Sequence, residues 1–280
     1  MPEIPEIRAH AERLTEAYGG SELTKFRSLS FTALKTFDPA PEAAMGRSLD
    51  RVSQRGKYLR LHFGDLAFVV HLMQGGRLRD DAKQARKPRG GLARWTFADG
   101  RALLITEPGT EHRAGIWVVG GDTEAQEPIV ELGPEADTVT AEELASLLGE
   151  HSMRLHGFLR RQRILAGLGR RLANEICYAA RLSPFVTTSK LDDDDAQRLV
   201  AAIASTVAEG LAYDRARPDM SNSADRPSVV HGQSGQRCPD CDCDDEIRSV
   251  TYRRYRVDYC PARQTEGRVL ADNTTSKFLK

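Results

Sequence analysis

Four of the chain's five cysteines stand close together, at Cys238, Cys241, Cys243 and Cys260, with Cys177 apart. An odd number gathered in this way argues against a disulfide framework and for metal ligation. Cys238 and Cys241 form a C-x-x-C knuckle. A four-thiolate zinc ribbon would repeat that spacing in a second turn. Cys260 opens such a turn, CPAR, but its last position is Arg263. Cys238, Cys241 and Cys260 are therefore the candidate ligands for a zinc ion, and Cys243 or His231 would have to move in as the fourth.

A second chemistry is written in charge. The chain as a whole has 40 Lys and Arg against 40 Asp and Glu, a formal net charge of zero. Yet between His151 and Lys190 there are Arg154, Arg160, Arg161, Arg163, Arg170, Arg171, Arg181 and Lys190 against the single acid Glu175. Such a field attracts phosphate, although a solvated helix face has the same composition. Within it, LAGLGRRLANEI places Gly167 and Gly169 just before a basic helix start. Glycine lets backbone approach a phosphate closely, and a helix N-terminus offers unpaired amide donors. A glycine that merely ends the preceding helix would read the same way.

The elements that must position these groups divide the chain in two, as a length of 280 residues suggests. Residues 7 to 18, IRAHAERLTEAY, have helical spacing and stop at Gly19 and Gly20. From Leu23 to about Val119, short apolar runs alternate with turn signals and predict an antiparallel sandwich or barrel. After an acidic stretch the period changes to three and four in AEELASLLGE, LHGFLRRQRILAGLG, RRLANEICYAARL and DDDDAQRLVAAIASTVAEGLAY, predicting helices. Residues 216 to 228, ARPDMSNSADRPS, read as a flexible loop leading to the cysteine hairpin. No basic and apolar leader is present, and no apolar run approaches the ~18 residues of a membrane span, so a soluble, cytoplasmic protein without membrane partners is expected.

The opening MPEIPEI is a poor start for an ordinary strand or helix, because proline lacks a backbone donor and fixes its own φ. With RGKYL at 55–59, VVHL at 69–72, ELGPE at 131–135, LAGLGRRLANEICYAARLSPF at 165–185 and VHGQSGQRCPDC at 230–241, it occurs in an order that resembles the formamidopyrimidine-DNA glycosylase and endonuclease VIII family of base-excision repair enzymes. ALKTFDP, TEPGTEHR and QTEGRVLAD resemble a divergent bacterial branch.

The resemblance implies an α+β fold. An N-terminal helix and antiparallel β-sandwich would form a catalytic domain over 1–135, a helix-two-turn-helix DNA-binding domain would cover 136–228, and a zinc-ribbon-like hairpin with the tail would cover 229–280. It implies a monomer that excises oxidised bases from damaged double-stranded DNA and cleaves the abasic site. Pro2, once Met1 is removed, would be the amine nucleophile, Glu3 the general acid and base, and Lys57 a phosphate contact beside the lesion. Glu6 would lie at the edge of the lesion pocket and His71 beside it, with His156, Arg170, Arg254 and Arg256 on the DNA.

Several positions depart from the family pattern. A wedge methionine is expected where Gln74 stands, Met73 being one residue early, and the loop EPGTEHRAG lacks a phenylalanine. Arg170 replaces an asparagine, His156 a lysine and Leu172 a tyrosine. The alternative consistent with these changes is a damage-recognising DNA-binding protein of the same fold with weak catalysis or none.

Overall fold

The computed structural model describes the chain except residues 110–112, 223–224, 240–244, 253–254 and 271–280, and the side chain of Tyr252. Cys241, Cys243 and Arg254 thus lie outside the described residues. Two compact units are present: Met1–Leu132 with Asp214–Ser223, and Gly133–Tyr213 with Ala224–Lys280.

In the first unit a helix α1 (Ile4–Tyr18) precedes eight strands: β1 (Leu23–Ser28), β2 (Arg51–Arg55), β3 (Tyr58–Phe63), β4 (Leu66–His71), β5 (Arg77–Asp80), β6 (Gly91–Phe97), β7 (Ala102–Thr106) and β8 (Gly115–Gly120). They form two four-stranded antiparallel sheets, ordered β1-β6-β7-β5 and β2-β3-β4-β8. The sheets share one core. Phe68 of β4 lies 5.2 Å from the ring of Phe26 and 5.6 Å from Trp95 of the other sheet, and α1 adds Ile7, Ala11, Leu14 and Tyr18. Such aromatic contacts supplement burial by about 0.5–1.5 kcal/mol each.

The helix begins at Ile4, three residues before the periodic run that marks it. Pro5 sits in its first turn, where the amide it lacks would have had no partner within the helix. Glu3 is the N-cap: its carboxylate accepts the backbone N–H of Glu6, and the Glu6 carboxylate accepts the N–H of Glu3 at 2.9 Å. This reciprocal capping box overcomes the expected weakness of a proline-rich start. Gly19 and Gly20 end the helix as expected, Gly20 with φ +80°.

The second unit contains α2 (Ala141–Glu150), α3 (Leu155–Leu159), α4 (Arg170–Ala179), α5 (Asp193–Arg215, whose last two residues belong to the first unit) and a hairpin of β9 (Arg248–Tyr252) and β10 (Tyr255–Tyr259) followed by α6 (Pro261–Thr265). Thr140 and Glu143 cap α2 reciprocally. The segment LHGFLRRQRILAGLG, expected to be helical, is so only to Leu159. Beyond it the Gln162 side chain donates to the carbonyls of Arg160 and Leu168 and accepts from Gly167 N–H, fixing a turn in place of further helix.

The stretch 216–228, expected as a flexible loop, is anchored in part: Met220, Ser221 and Arg226 are buried. Asp214 is fully buried, accepting from the Ser221 amide and hydroxyl at 3.1 Å each, and Arg13 of α1 donates to the Asp214 carbonyl at 2.8 Å. Met220 enters the core of the first unit.

Candidate functional site

The first unit gathers five of the expected residues around one corner. Pro2, Glu3 and Glu6 are buried at the start of α1, with Met1 partly exposed ahead of them. Pro2 and Glu6 line a narrow cleft with Met1, Gln74, Arg77 and Ser221.

Lys57 is the second residue of the tight turn between β2 and β3. Gly56 precedes it with φ +55°, the conformation that the first position of such a hairpin turn requires. The turn is tied to α1: Arg8 donates to Gln54 Oε1 at 3.1 Å, and Gln54 Nε2 donates to the Gly56 carbonyl at 2.8 Å. Lys57 is only 8% exposed.

His71 ends β4 after five buried residues. Its Nδ1 accepts the Met73 amide at 3.1 Å, which leaves the ring proton on Nε2, and its ring meets Tyr58 at 4.6 Å. Burial first, then the positive charges of Lys57 and the N-terminal ammonium, push its pKa down to about 4. The corner thus holds a chain-terminal amine, a lysine, a neutral imidazole and two carboxylates capped into one helix turn.

The loop after His71 turns back sharply. Gly76 N–H donates to the Leu72 carbonyl at 2.8 Å, and a Cβ at residue 76 would come within 2.3 Å of that oxygen. Met73 takes φ 52°, unusual for a side-chain-bearing residue, and Gln74 is exposed. The second expected wedge loop is anchored by buried Glu107, which accepts the Ala114 amide at 2.8 Å. The sequence carries no local signal for Glu107, for Asp214, whose carbonyl is bonded by Arg13 201 residues away, or for cleft-lining Ser221, which Asp214 holds.

The remaining described site residues belong to the second unit. Arg170 is exposed at the first position of α4, after the N-cap Gly169. His156 is buried on α3 at 4% exposure and hydrogen-bonded to the backbone of Arg170; burial and then Arg160 lower its pKa to about 3, and its Nε2 has no partner among the described residues. Arg256 on β10 donates to Asp258 Oδ1 at 2.8 Å and stays half exposed. Part of the basic field is structural: Arg171 is buried and bonded to the Arg226 carbonyl and the Ser228 hydroxyl, and Arg154 donates to the Phe185 carbonyl at 2.7 Å. The lone acid Glu175 accepts the amides of Val229, Val230 and His231.

Where the family resemblance implies zinc, Cys238 and Cys260 are buried together beneath the hairpin. Tyr178 hydroxyl and Cys238 Sγ lie 3.2 Å apart. The guanidinium of Arg263 stacks 4.5 Å above the Tyr178 ring and donates to the Tyr178 carbonyl at 3.2 Å. A permanent cation in the fourth ligand position does not fit a zinc ion, and among the described residues no cluster of three or more His, Cys, Asp or Glu side chains could hold one.

Comparison with known proteins agrees with this geometry. The profile of the formamidopyrimidine-DNA glycosylase N-terminal domain matches residues 1–111. An uncharacterized formamidopyrimidine-DNA glycosylase-like protein of Mycobacterium tuberculosis is 32% identical over 151 residues, 53% of this chain and 94% of that one. The formamidopyrimidine-DNA glycosylase of Thermus thermophilus is 29% identical over 284 residues, 95% of this chain and 100% of that one. The fold matches that of Lactococcus lactis formamidopyrimidine-DNA glycosylase, solved in complex with DNA containing an abasic site, with TM-score 0.82 at 19% identity over 94% of this chain and 99% of that one. Sequence kinship over nearly its whole length, and the same α+β arrangement of antiparallel sheets and helices, place the chain in the formamidopyrimidine-DNA glycosylase family.

Proposed function

We propose that the protein is a bifunctional DNA glycosylase and abasic-site lyase that excises oxidised bases from damaged double-stranded DNA. The observation that carries this reading is the cleft at the start of α1, lined by Pro2 and Glu6 behind Met1, where Glu3 and Glu6 cap each other; the charges of Lys57 and the N-terminal ammonium both act on buried His71. Removal of Met1 frees the secondary amine of Pro2. An α-amino group titrates near ~8, about two units below lysine, so a useful fraction is neutral and nucleophilic at physiological pH.

The Pro2 nitrogen adds to C1′ of the flipped nucleotide as the bond from C1′ to the base breaks, and the proton shed by that nitrogen neutralises the departing base. Glu3 gives its proton to the sugar ring oxygen, the ring opens, and an iminium joins Pro2 to C1′. The iminium acidifies C2′. Loss of that proton expels the 3′ phosphate, a second elimination expels the 5′ phosphate, and water then frees Pro2. Lys57 supplies a point charge for the phosphate beside the lesion.

The damage-binding alternative draws on His156. Where the resemblance expects a lysine, this chain has a buried neutral imidazole, which offers a phosphate no charge. The two readings separate in an incision assay on duplex carrying an oxidised base or an abasic site. Protein with Pro2 at its terminus should cut both, and the same protein with one residue added ahead of Pro2 should cut neither. Tight binding without incision by the processed protein would select the alternative.

A further inference from the structure

The loop from Ala82 to Arg89, AKQARKPR, contains four cations and no acid. Lys83, Arg86, Lys87 and Arg89 all lie at the surface, and their side chains make no hydrogen bond or ion pair among the described residues. In a chain whose charges balance overall, four unpaired like charges within seven residues repel one another and need a reason to be held together.

They are held firmly. Arg94 on β6 and Asp81 at the start of the loop form a buried ion pair at 2.6 Å, each under 10% exposed, and Arg94 also donates to the Ala85 carbonyl at 2.7 Å. Gln84 is fixed through its amide to Asp81 Oδ1 at 3.0 Å and through its side chain to the Gly100 carbonyl at 2.7 Å. The Gly91 amide closes on the Pro88 carbonyl at 3.0 Å. The loop is thus a preformed display, its backbone anchored to a pair that is costly to break.

Topology says where it leads. β5 and β6 both pair antiparallel with β7, so they run parallel to each other, and the connection must travel the length of the sheet. Arg77 and Gly91 both pair with Thr106, so the loop returns to the end of the sheet where the turn after His71 and the loop after Thr106 emerge. There the Gly90 carbonyl accepts the Glu107 amide at 2.8 Å, and Gly75 lies against Glu107 and Pro108.

We propose that residues 82–89 are a cationic strap that binds backbone phosphates of duplex DNA outside the lesion pocket. This rests on the DNA glycosylase reading of the same unit. The strap offers no aromatic or large aliphatic side chain, which sets aside membrane insertion and an apolar protein partner and leaves a polyanion read by charge alone.

The test is a full-length variant with Lys83→Gln, Arg86→Gln, Lys87→Gln and Arg89→Gln, which leaves Asp81, Arg94 and every residue of the N-terminal corner in place. Kd is measured against salt on intact duplex and on duplex with an abasic-site analogue. Each phosphate that the variant no longer neutralises flattens log K against log salt by about 0.9; for three such phosphates, the wild type loses roughly 40-fold more affinity than the variant over a fourfold rise in salt. The loss should be equal on both duplexes, with borohydride trapping on abasic DNA at low salt unchanged. A variant with wild-type slopes on both duplexes overturns the strap. A slope change confined to the lesion duplex does so too, since it places the cations in the lesion site. Wild type that binds duplex but traps nothing overturns the lyase reading instead, and the slope comparison still decides the strap.

Discussion

The N-terminal corner and the cysteine hairpin carry the same family resemblance in sequence but are held by different means. In the corner, Pro2, Glu3, Glu6, Lys57 and His71 occur together with the helix start, hairpin turn and strand end that aim them. At the hairpin, the position that should supply a thiolate supplies Arg263, and its guanidinium spreads over Tyr178 while Tyr178 reaches Cys238. The corner keeps every residue type that the family resemblance calls for. Among the described residues the hairpin packs through an arginine, a tyrosine and a buried thiol pair. The difference teaches that, in this chain, the groups expected to do chemistry keep to the family pattern while the described packing of the hairpin departs from it.

The largest effect should come from the corner. Glu3→Gln keeps size and hydrogen bonding but removes the titratable proton, so excision of an oxidised base should fall by ~10²- to 10⁴-fold in single-turnover assays. Cleavage of a pre-formed abasic site, which needs no base departure, should fall less. Equal, small losses on both substrates would remove Glu3 from the chemistry and leave it a helix cap.

Acid should separate the two units. His10, His62 and His71 of the first unit have pKa values lowered to about 4, chiefly by burial, and His156 of the second to about 3. Unfolded, each takes up a proton near 6.5, so the unfolded state binds more protons below that pH. The stability contributed by the neutral rings is complete above pH 6.5 and is lost as pH falls toward 4. Trp95 and Trp117, the only tryptophans, both lie in the first unit and report it alone. Their fluorescence melting temperature should drop steadily between about pH 7 and about pH 4.5. A flat profile would show that the three imidazoles are not held neutral.

Helix α1 and the hairpin also differ in how far the sequence announces them. The Gly56-Lys57 turn, the buried run of β4 before His71 and the capping box of α2 are local signals, and each appears where the residues indicate. The start of α1 is misread when Pro5 is weighed as a breaker, although a missing amide costs nothing in a first turn. The burial of Met220 and Ser221 is invisible in sequence, because it depends on Asp214 accepting from Ser221 and on Arg13, 201 residues away, holding the Asp214 carbonyl. The packing of Arg263 is half legible. The missing cysteine is plain, but the ring that takes its place, Tyr178, stands 85 residues away.

A smaller effect should follow at the hairpin. Arg263→Ala removes the stacking and the bond to the Tyr178 carbonyl, and should lower the stability of the second unit by about 1 kcal/mol, seen as faster amide exchange in β9 and β10, with tryptophan fluorescence unchanged. Purified wild type should hold well under one zinc per chain by metal analysis, and Arg263→Cys should raise that content. One tightly held zinc in the wild type would show that residues outside the described set complete a site. Smallest of all, Arg170→Ala should flatten the salt dependence of duplex binding by about 0.9, roughly threefold over a fourfold change of salt. An unchanged slope would take Arg170 off the phosphates and deepen the contrast with the corner.

The most direct measurement is borohydride trapping on abasic-site duplex, with the adduct digested and its peptide mapped by mass spectrometry. Protein shown to lack Met1 should yield a covalent complex whose sugar remnant is on the nitrogen of Pro2, reduced in Pro2→Gly and absent when a residue is added ahead of Pro2. No adduct from processed protein that binds the same duplex tightly, or an adduct mapped to Lys57, would contradict the account.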